Sequence, residues 1–289
     1  MRLSDFFHQT YRPLRLRGKS PNTSRLYECL FRQFGRFLHR DPLVSDLDDL
    51  GICGFLEWRS LRGRSPYTVE KERSQLVALG RLARDRGLLQ TAPIVDQGTL
   101  PETVPTAWTV AELTSLFRAA ESMPGTICNA PAGLWWAALL HVAWESSERI
   151  GALMALERHH VANNALVVPA SARKGRRRER IYHLSTDTAA RVAALLEAHG
   201  EPNVFPWDKS ATYLWNRMKR IKTLAGLPAK KRVAFHMIRR SAASHFAAAG
   251  GDAARFLGHS SPRMTERWYL DPRVCDTGPK PCDLLPRID

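Results

Sequence analysis

The first 90 residues repeat apolar positions at the spacing of amphipathic helices. Three segments show this period: residues 24–38, 47–61 and 67–88. Asn22 or Thr23 is the predicted N-cap of the first helix. Because amphipathic helices bury their apolar faces against one another, we predict an all-helical first domain over residues 1–90.

A stretch rich in helix breakers separates this block from the next. Residues 91–107 contain three prolines and one glycine and have no sustained apolar period. This composition is typical of an interdomain linker. We therefore place a second domain at residues 108–271, and we expect the proline-rich residues 272–289 to form an extended tail.

Within the second domain the pattern changes from helical to strand-like and back. Thr109 and Glu112 form a capping box, and residues 132–145 predict a strongly apolar helix. Residues 165–169 and 181–184 favour two strands, which flank a hairpin tip dense in cations. Helical periods resume after the second strand. The predicted fold class is mainly α with a small antiparallel β-sheet.

The chain is strongly basic, with 43 Lys and Arg against 28 Asp and Glu and a formal net charge of +15. Such an excess favours a polyanionic partner, most often nucleic acid, although ribosome-associated and membrane-surface proteins share it. Cations line the polar face of the helix over residues 67–88, where they either contact phosphates or form a solvated face. Other cations are concentrated at the hairpin tip. The candidate DNA-binding residues are Lys71, Arg73, Arg81, Arg84, Arg173, Arg176, Arg177 and Arg178.

Other features disfavour several classes of protein. The five cysteines form no CxxC pair, and their odd number favours a reducing cytoplasm over a disulfide framework. The most apolar stretch, residues 130–144, is too short to span a bilayer, and no run of signal-peptide length begins the chain. His159-His160 lacks a second ligand pair, and no glycine motif resembles a phosphate loop. We expect a cytoplasmic protein without membrane association, metal or cofactor.

Polar residues of the second domain form an ordered series. The series is Arg149, Lys174, His236-x-x-Arg239, Gly258-His259 and Tyr269. Taken singly, each member has a structural explanation, such as an ion pair of Arg149 with Glu145 or Glu148. The complete order resembles the catalytic set of the tyrosine recombinase (phage integrase) family, most strongly over residues 235–272. The resemblance implies a helical core-binding domain followed by a mixed α/β catalytic domain.

The resemblance also implies a reaction. Tyr269 would attack a DNA backbone phosphate, giving a 3′-phosphotyrosine and a free 5′-hydroxyl. Arg149 and Arg239 suit a clamp on the phosphate oxygens, with His259 as a third donor. His236 would accept the tyrosine proton or hold the phosphate, and Lys174 would protonate the departing oxygen. Neither ATP nor a metal is expected, because the covalent link preserves the energy of the phosphodiester.

The activity implied by the resemblance is site-specific recombination or integration of double-stranded DNA. It would involve four protomers on two synapsed sites, the free protein being a monomer, and we assign inter-protomer docking to the tail at residues 272–289. A type IB topoisomerase that relaxes supercoiled DNA is one alternative. A catalytically inactive DNA-binding protein of the same fold is another.

The chain departs from the family pattern at four places, one of which is the stretch from Gly250 to His259, about one helical turn shorter than in many relatives. Ala152 stands where an acidic residue is frequent, and Ser146-Ser147-Glu148 stands where a Gly-Leu turn is common. Trp268 immediately precedes Tyr269. If Trp268 occupies the position of the nucleophile, the protein binds DNA without cutting it.

Overall fold

Residues 1–173, 178–228, 234–276 and 278 are described by the computed structural model. The chain divides into two units, Met1–Thr103 and Val104–Asp289. Each unit has its own core of buried apolar side chains. None of the helices within these described ranges is long and apolar enough to cross a membrane.

The first unit is all-helical. Its helices are α1 (Leu3–Phe6), α2 (Arg12–Arg15), α3 (Pro21–Leu38), α4 (Asp49–Leu61) and α5 (Pro66–Asp85), and a π-helical turn, Phe7–Tyr11, joins α1 to α2. The hydroxyl of Ser20 caps α3 by accepting the Asn22 N–H at 3.3 Å. The predicted cap at Asn22 or Thr23 is therefore wrong. The helix begins earlier because Pro21 fits its first position, where no N–H is needed.

Aromatic side chains fill the core of the first unit. Phe7, Phe34 and Phe55 are completely buried. The rings of Phe7 and Tyr27 stack with centroids 5.0 Å apart, and those of Phe34 and Phe55 meet edge to face at 5.1 Å. Buried aromatic pairs of this kind join α3 to its neighbours through large apolar contacts.

The beginning of the predicted linker packs on helices of the first unit. Pro93 lies against Gly80 of α5, where a Cβ would be 2.3 Å from the Pro93 Cγ. Only glycine allows this approach. The Ile94 N–H donates to Asp49 Oδ1 at 2.7 Å. The first unit consequently extends to Thr103.

The second unit combines helices with small antiparallel sheets, so the predicted fold class is confirmed. In the strands β4 (Ala165–Val168) and β5 (Arg180–His183), Leu166 pairs with Tyr182 and Val168 with Arg180. The strands β1 (Thr126–Ile127), β2 (Ala130–Pro131) and β3 (Val161–Ala162) were not predicted, because two residues are too short to display a period. The elements in chain order are α6 (Val110–Glu121), β1 (Thr126–Ile127), β2 (Ala130–Pro131), α7 (Ala132–Ser146), α8 (Ile150–Leu153), β3 (Val161–Ala162), β4 (Ala165–Val168), β5 (Arg180–His183), α9 (Thr186–Ala198), α10 (Ala211–Leu224), α11 (Ala234–Ala248), α12 (Ala253–Leu257), α13 (Pro262–Tyr269) and α14 (Pro272–Cys275).

Helix α7 lies at the centre of this second core. Its side chains Trp135, Trp136, Leu139 and Leu140 are completely buried, and it packs against α6, α9 and α11. A helix that is apolar on every side requires such surroundings. The end of this rigid, buried helix is where the residues of the candidate site begin.

At the two ends of the second unit, helix α6 begins as predicted and the tail does not. The capping box of Thr109 and Glu112 is present at the start of α6. The tail predicted to be extended begins instead with the short helix α14, because the Asp271 side chain caps it and Pro272 fits its first position.

Candidate active site

A tight turn after α7 sets the backbone of the site. Ser147 adopts a left-handed conformation with φ of 54°, which ends the helix. Ser146 Oγ accepts the Glu148 N–H at 3.2 Å and holds the turn closed. Arg149 then takes an extended conformation as the N-cap of α8. Its side chain is half-buried, and among the described residues its guanidinium makes no hydrogen bond or ion pair, with Glu145 and Glu148 bonded elsewhere.

Helix α11 places a second guanidinium beside this turn. Arg239 is 1 % exposed. Its Nη1 donates to the Ser147 carbonyl and its Nη2 to the Leu257 carbonyl, the latter at 2.8 Å. Its Nε is buried and has no hydrogen-bond partner in the described part of the chain. Burial, followed by the nearby charge of Arg149, lowers the pKa of Arg239. Two close cations that carboxylates only partly neutralise form a site for an anion.

The ring of Tyr269, the last residue of α13, lies against three members of the predicted series. Its centroid is 4.6 Å from that of His259 and 5.1 Å from that of His236. The Arg239 Cζ is 5.7 Å from the same centroid. The neighbouring Trp268 ring has the Arg267 guanidinium 5.2 Å from its centroid. The fold thus brings Tyr269 next to both histidines and Arg239.

Both histidines are held in their neutral form. Burial lowers the pKa of His236 to about 4, with nearby arginines adding to the effect, and burial followed by Arg239 lowers that of His259 to about 4. His259 Nε2 is 3.5 Å from Arg239 Nη2, and its Nδ1 is 2.9 Å from Thr265 Oγ1. Because arginine only donates, Nε2 accepts and Nδ1 carries the proton.

The cationic hairpin between β4 and β5 is only partly described. Lys174, Arg176 and Arg177 lie outside the described residues. Arg178 is exposed. Arg173 donates from Nε to Glu148 Oε1 at 2.6 Å, and its side chain is only 12 % exposed. Arg173 therefore makes an internal ion pair.

The predicted DNA-binding cations of α5 differ in whether protein groups already bind them. Lys71 and Arg81 are exposed, and Arg84 makes an exposed ion pair with the adjacent Asp85. Arg73 donates to Glu70 and to the Val95 carbonyl, and its side chain is 17 % exposed. The solvated side chains are free to meet a phosphate, whereas Arg73 already has protein partners.

Sequence reasoning missed four side chains that support the site. Glu148 accepts from Arg173, and Thr265 orients His259. Ser244 Oγ donates to the Tyr269 carbonyl at 3.2 Å. The Nε of Arg240 is buried beside Arg239 without a partner among the residues described. The Arg239-Arg240 doublet was visible in the sequence. Glu148 and Ser244 bond to residues 25 positions away, and Thr265 bonds to a side chain six positions away.

Metal ligands are not grouped in the described ranges, where no three His, Cys, Asp or Glu side chains lie close enough to hold an ion. His159 and His160 contact each other, with ring centroids 4.0 Å apart, and His159 approaches Glu157 at 3.4 Å.

The fold has well-matched relatives among solved structures. The lambda integrase dimer bound to a COC′ core site superposes with a TM-score of 0.73 at 19% identity, covering 94% of this chain and 96% of that chain. The lambda integrase tetramer bound to a Holliday junction gives 0.73 at 19% identity, covering 94% and 78%. The Tn1549 transposon integrase in complex with transposon right end DNA gives 0.69 at 14% identity, covering 93% and 95%.

The fold and the cluster of arginine, histidine and tyrosine define a protein of the tyrosine recombinase class. A profile of the phage integrase family matches residues 109–274, which include every residue of the ordered series. The chain belongs to the phage integrase family. A search of curated protein sequences gives no match.

Proposed function

We propose that the protein is a site-specific recombinase that cleaves and rejoins double-stranded DNA through a phosphotyrosine at Tyr269. The observation that supports this function best is the position of the Tyr269 ring. It contacts both histidines and lies beside the buried Arg239, which is close to Arg149. Membership of the phage integrase family agrees with this activity.

In this proposal two guanidiniums stabilise the charge that develops on the phosphate. Arg149 and Arg239 each offer paired N–H donors that suit the non-bridging oxygens. The position of Arg239 is fixed before the substrate arrives, since the Ser147 and Leu257 carbonyls already hold its guanidinium. Removal of one such fixed donor commonly costs about 3 kcal/mol in the activation free energy.

The proposed step moves one phosphoryl linkage from DNA to protein. The Tyr269 oxygen forms a bond to phosphorus, the bond from phosphorus to the 5′-oxygen breaks, and the 3′ side stays attached as a phosphotyrosine. The neutral His236 accepts the phenolic proton, and Lys174 donates a proton to the departing 5′-oxygen. Religation reverses these events and consumes no ATP.

A nicked suicide substrate tests the proposal. Cleavage next to the nick releases a short fragment, so the covalent protein–DNA adduct accumulates and is measured by denaturing gel. We expect the wild-type chain to form this adduct and Tyr269→Phe to form none. Trp268→Phe is the matched control and should retain it. An adduct that persists in Tyr269→Phe would rule out Tyr269 as the nucleophile.

Supercoiled DNA and DNA that carries two sites separate the alternative activities. Relaxation of supercoiled DNA without exchange between two sites would indicate a type IB topoisomerase. DNA binding without any adduct would indicate a catalytically inactive DNA-binding protein. Exchange between two sites is the result that the recombinase proposal requires.

We further propose that four protomers act together on two synapsed sites and that the tail contributes to their assembly. Arg273 and Cys275 contact Asp271 and Ser244, so a deletion should spare α14. Removal of residues 279–289 is expected to abolish synapsis while single-site binding persists, as measured by native gel shift. Unchanged recombination by this variant would contradict a docking role for the tail.

A further inference from the structure

A buried carboxylate lies directly before Arg149. The Glu148 side chain is 1 % exposed. Its Oε1 accepts from Arg173 Nε at 2.6 Å and from the Tyr182 hydroxyl at 2.8 Å, and its Oε2 accepts the Arg149 N–H at 3.2 Å. We call Glu148, Arg173 and Tyr182 the Glu148 cluster. Since protein groups occupy both carboxylate oxygens, Glu148 acts on the protein and not on a substrate atom.

The Glu148 cluster connects to both carbonyls that hold Arg239. One of them belongs to Ser147, the residue directly before Glu148. The other belongs to Leu257, and the connection to it runs through Arg180. Arg180 Nη1 donates to the Tyr182 hydroxyl at 3.3 Å and to the Phe256 carbonyl at 2.7 Å, one residue before Leu257. A shift of the carboxylate would therefore displace both supports of the Arg239 guanidinium.

Charge gives Glu148 a second effect on the two arginines. Burial and the charge of Arg149 lower the pKa of Arg239, whereas Glu148 acts in the opposite direction. Burial, followed by the Glu148 charge, raises the pKa of Tyr182 to about 12, so this phenol remains a donor at neutral pH. The carboxylate thus offsets repulsion between guanidiniums that must stay close together before DNA binds.

We propose that Glu148 is a positioning residue for strand cleavage, which holds the main chain of Arg149 and the guanidinium of Arg239 in place through the Glu148 cluster. This inference rests on the proposed recombinase function. It assigns to position 148 a supporting carboxylate in a chain that has Ala152 where the family often has an acid.

The test compares Glu148→Gln with Glu145→Gln on the suicide substrate. Glutamine keeps one acceptor but turns an N–H group toward a neighbouring donor, so the turn should shift. We expect the cleavage rate at saturating DNA to fall about 100-fold, the loss typical of a displacement near 1 Å. The dissociation constant for DNA, measured by fluorescence anisotropy, should stay within about threefold because phosphate contacts elsewhere dominate affinity.

Glu145 is the matched control because it is also a carboxylate with three hydrogen bonds. It accepts from the Ser185 N–H at 2.8 Å, the Ser185 hydroxyl at 2.6 Å and the Thr188 hydroxyl at 2.6 Å, at the start of α9. Glu145→Gln should lower the melting temperature without lowering the cleavage rate at saturating DNA. An equal loss of rate in both variants would overturn the inference, because it would reflect stability alone.

Tyr182→Phe supplies a second measurement if Glu148→Gln fails to fold. It removes only the hydroxyl that links Glu148 to Arg180, and we expect cleavage to slow about 10-fold at unchanged DNA affinity. The double variant should be no slower than Glu148→Gln, since both changes break one connected network.

Cleavage at the wild-type rate in Glu148→Gln or Tyr182→Phe overturns the inference and leaves the recombinase function standing. A wild-type chain that forms no Tyr269-dependent adduct contradicts the function itself.

Discussion

At the scale of single residues, the site combines neutral imidazoles with buried guanidiniums. Arg239, His236 and His259 all contact the Tyr269 ring, and both histidines have a pKa lowered to about 4. A neutral imidazole can accept a proton, whereas a cation so close to two arginines would be repelled. At neutral pH His236 is therefore unprotonated, as its proposed role as a base requires.

The lowered histidine pKa values predict a loss of stability in acid. Between pH 6.5 and about 4 the unfolded chain binds a proton at His236 and the folded chain does not. The free energy of unfolding should therefore be highest above pH 6.5 and fall as the pH drops toward 4. His236→Gln should reduce this fall by an amount on the order of 2 kcal/mol, discounted for partial exposure.

Urea denaturation at about pH 7 and about pH 4.5 measures this difference. His183→Gln is the control because His183 is exposed on β5, and it should keep the wild-type dependence on pH. A fall in the His236→Gln variant that equals that of the wild type would show that His236 is protonated in the folded protein.

The two arginines should respond differently to lysine. The Arg149 guanidinium has no hydrogen-bonding partner among the described side chains and main-chain groups, so Arg149→Lys should leave the melting temperature unchanged. Arg239→Lys should lower it, since one buried carbonyl, of Ser147 or Leu257, loses its donor at a cost of about 1–3 kcal/mol. Both should slow adduct formation about 100-fold or more. A stability loss in Arg149→Lys would reveal a structural role for that side chain.

At the scale of the elements, caps and turns determine where each helix begins and ends, and therefore where its side chains lie. Thr109 Oγ1 accepts the Glu112 N–H at 3.2 Å, and the Glu112 carboxylate accepts the Thr109 N–H at 2.8 Å. Helix α6 packs on α7, which ends at the turn that carries Arg149. Local sequence signals thus define the ends of elements that lie next to the site.

Loss of the α6 cap should cost stability. Thr109→Ala leaves orphan N–H groups at the first turn, and we expect the free energy of unfolding to fall by about 1 kcal/mol. Thr114→Ala is the matched control, because Thr114 is exposed in the same helix and bonds only to the Val110 carbonyl. Chemical denaturation of both variants measures the difference. Equal stability of Thr109→Ala and Thr114→Ala would contradict a stabilising role of the capping box.

At the scale of the whole molecule, the net charge of +15 makes salt the main influence on the proposed DNA affinity. A protein that neutralises phosphates releases counterions, so binding weakens steeply as salt rises. Arg81 is exposed on α5, whereas Arg73 is held by Glu70 and the Val95 carbonyl. These two arginines of one helix therefore allow a matched comparison.

Arg81→Gln should weaken DNA binding and reduce the slope of log K against log salt by about 1, the contribution of one phosphate contact. Arg73→Gln should leave that slope unchanged, although it removes an ion pair from the first unit. Fluorescence anisotropy between about 50 and 200 mM salt measures both slopes. A smaller slope in Arg73→Gln than in Arg81→Gln would reverse the assignment.

The sequence by itself determined the helical and strand periods, the capping box at Thr109 and the order of the series from Arg149 to Tyr269. These follow from local rules, since periodicity and caps depend on residues only a few positions apart. The two errors also concern local signals: Ser20 and Asp271 each cap a helix whose first residue is the proline that follows, a pattern that the sequence already contained.

Only the tertiary structure decided which side chains meet. The contact between the Tyr269 and His236 rings depends on the direction in which α13 presents its last residue to α11. The role of Glu148 depends on contacts with Arg173 and Tyr182, which are 25 and 34 positions away. Such contacts form when distant segments of the chain pack together. A buried charge then needs a partner, and no local sequence pattern specifies which residue that partner is.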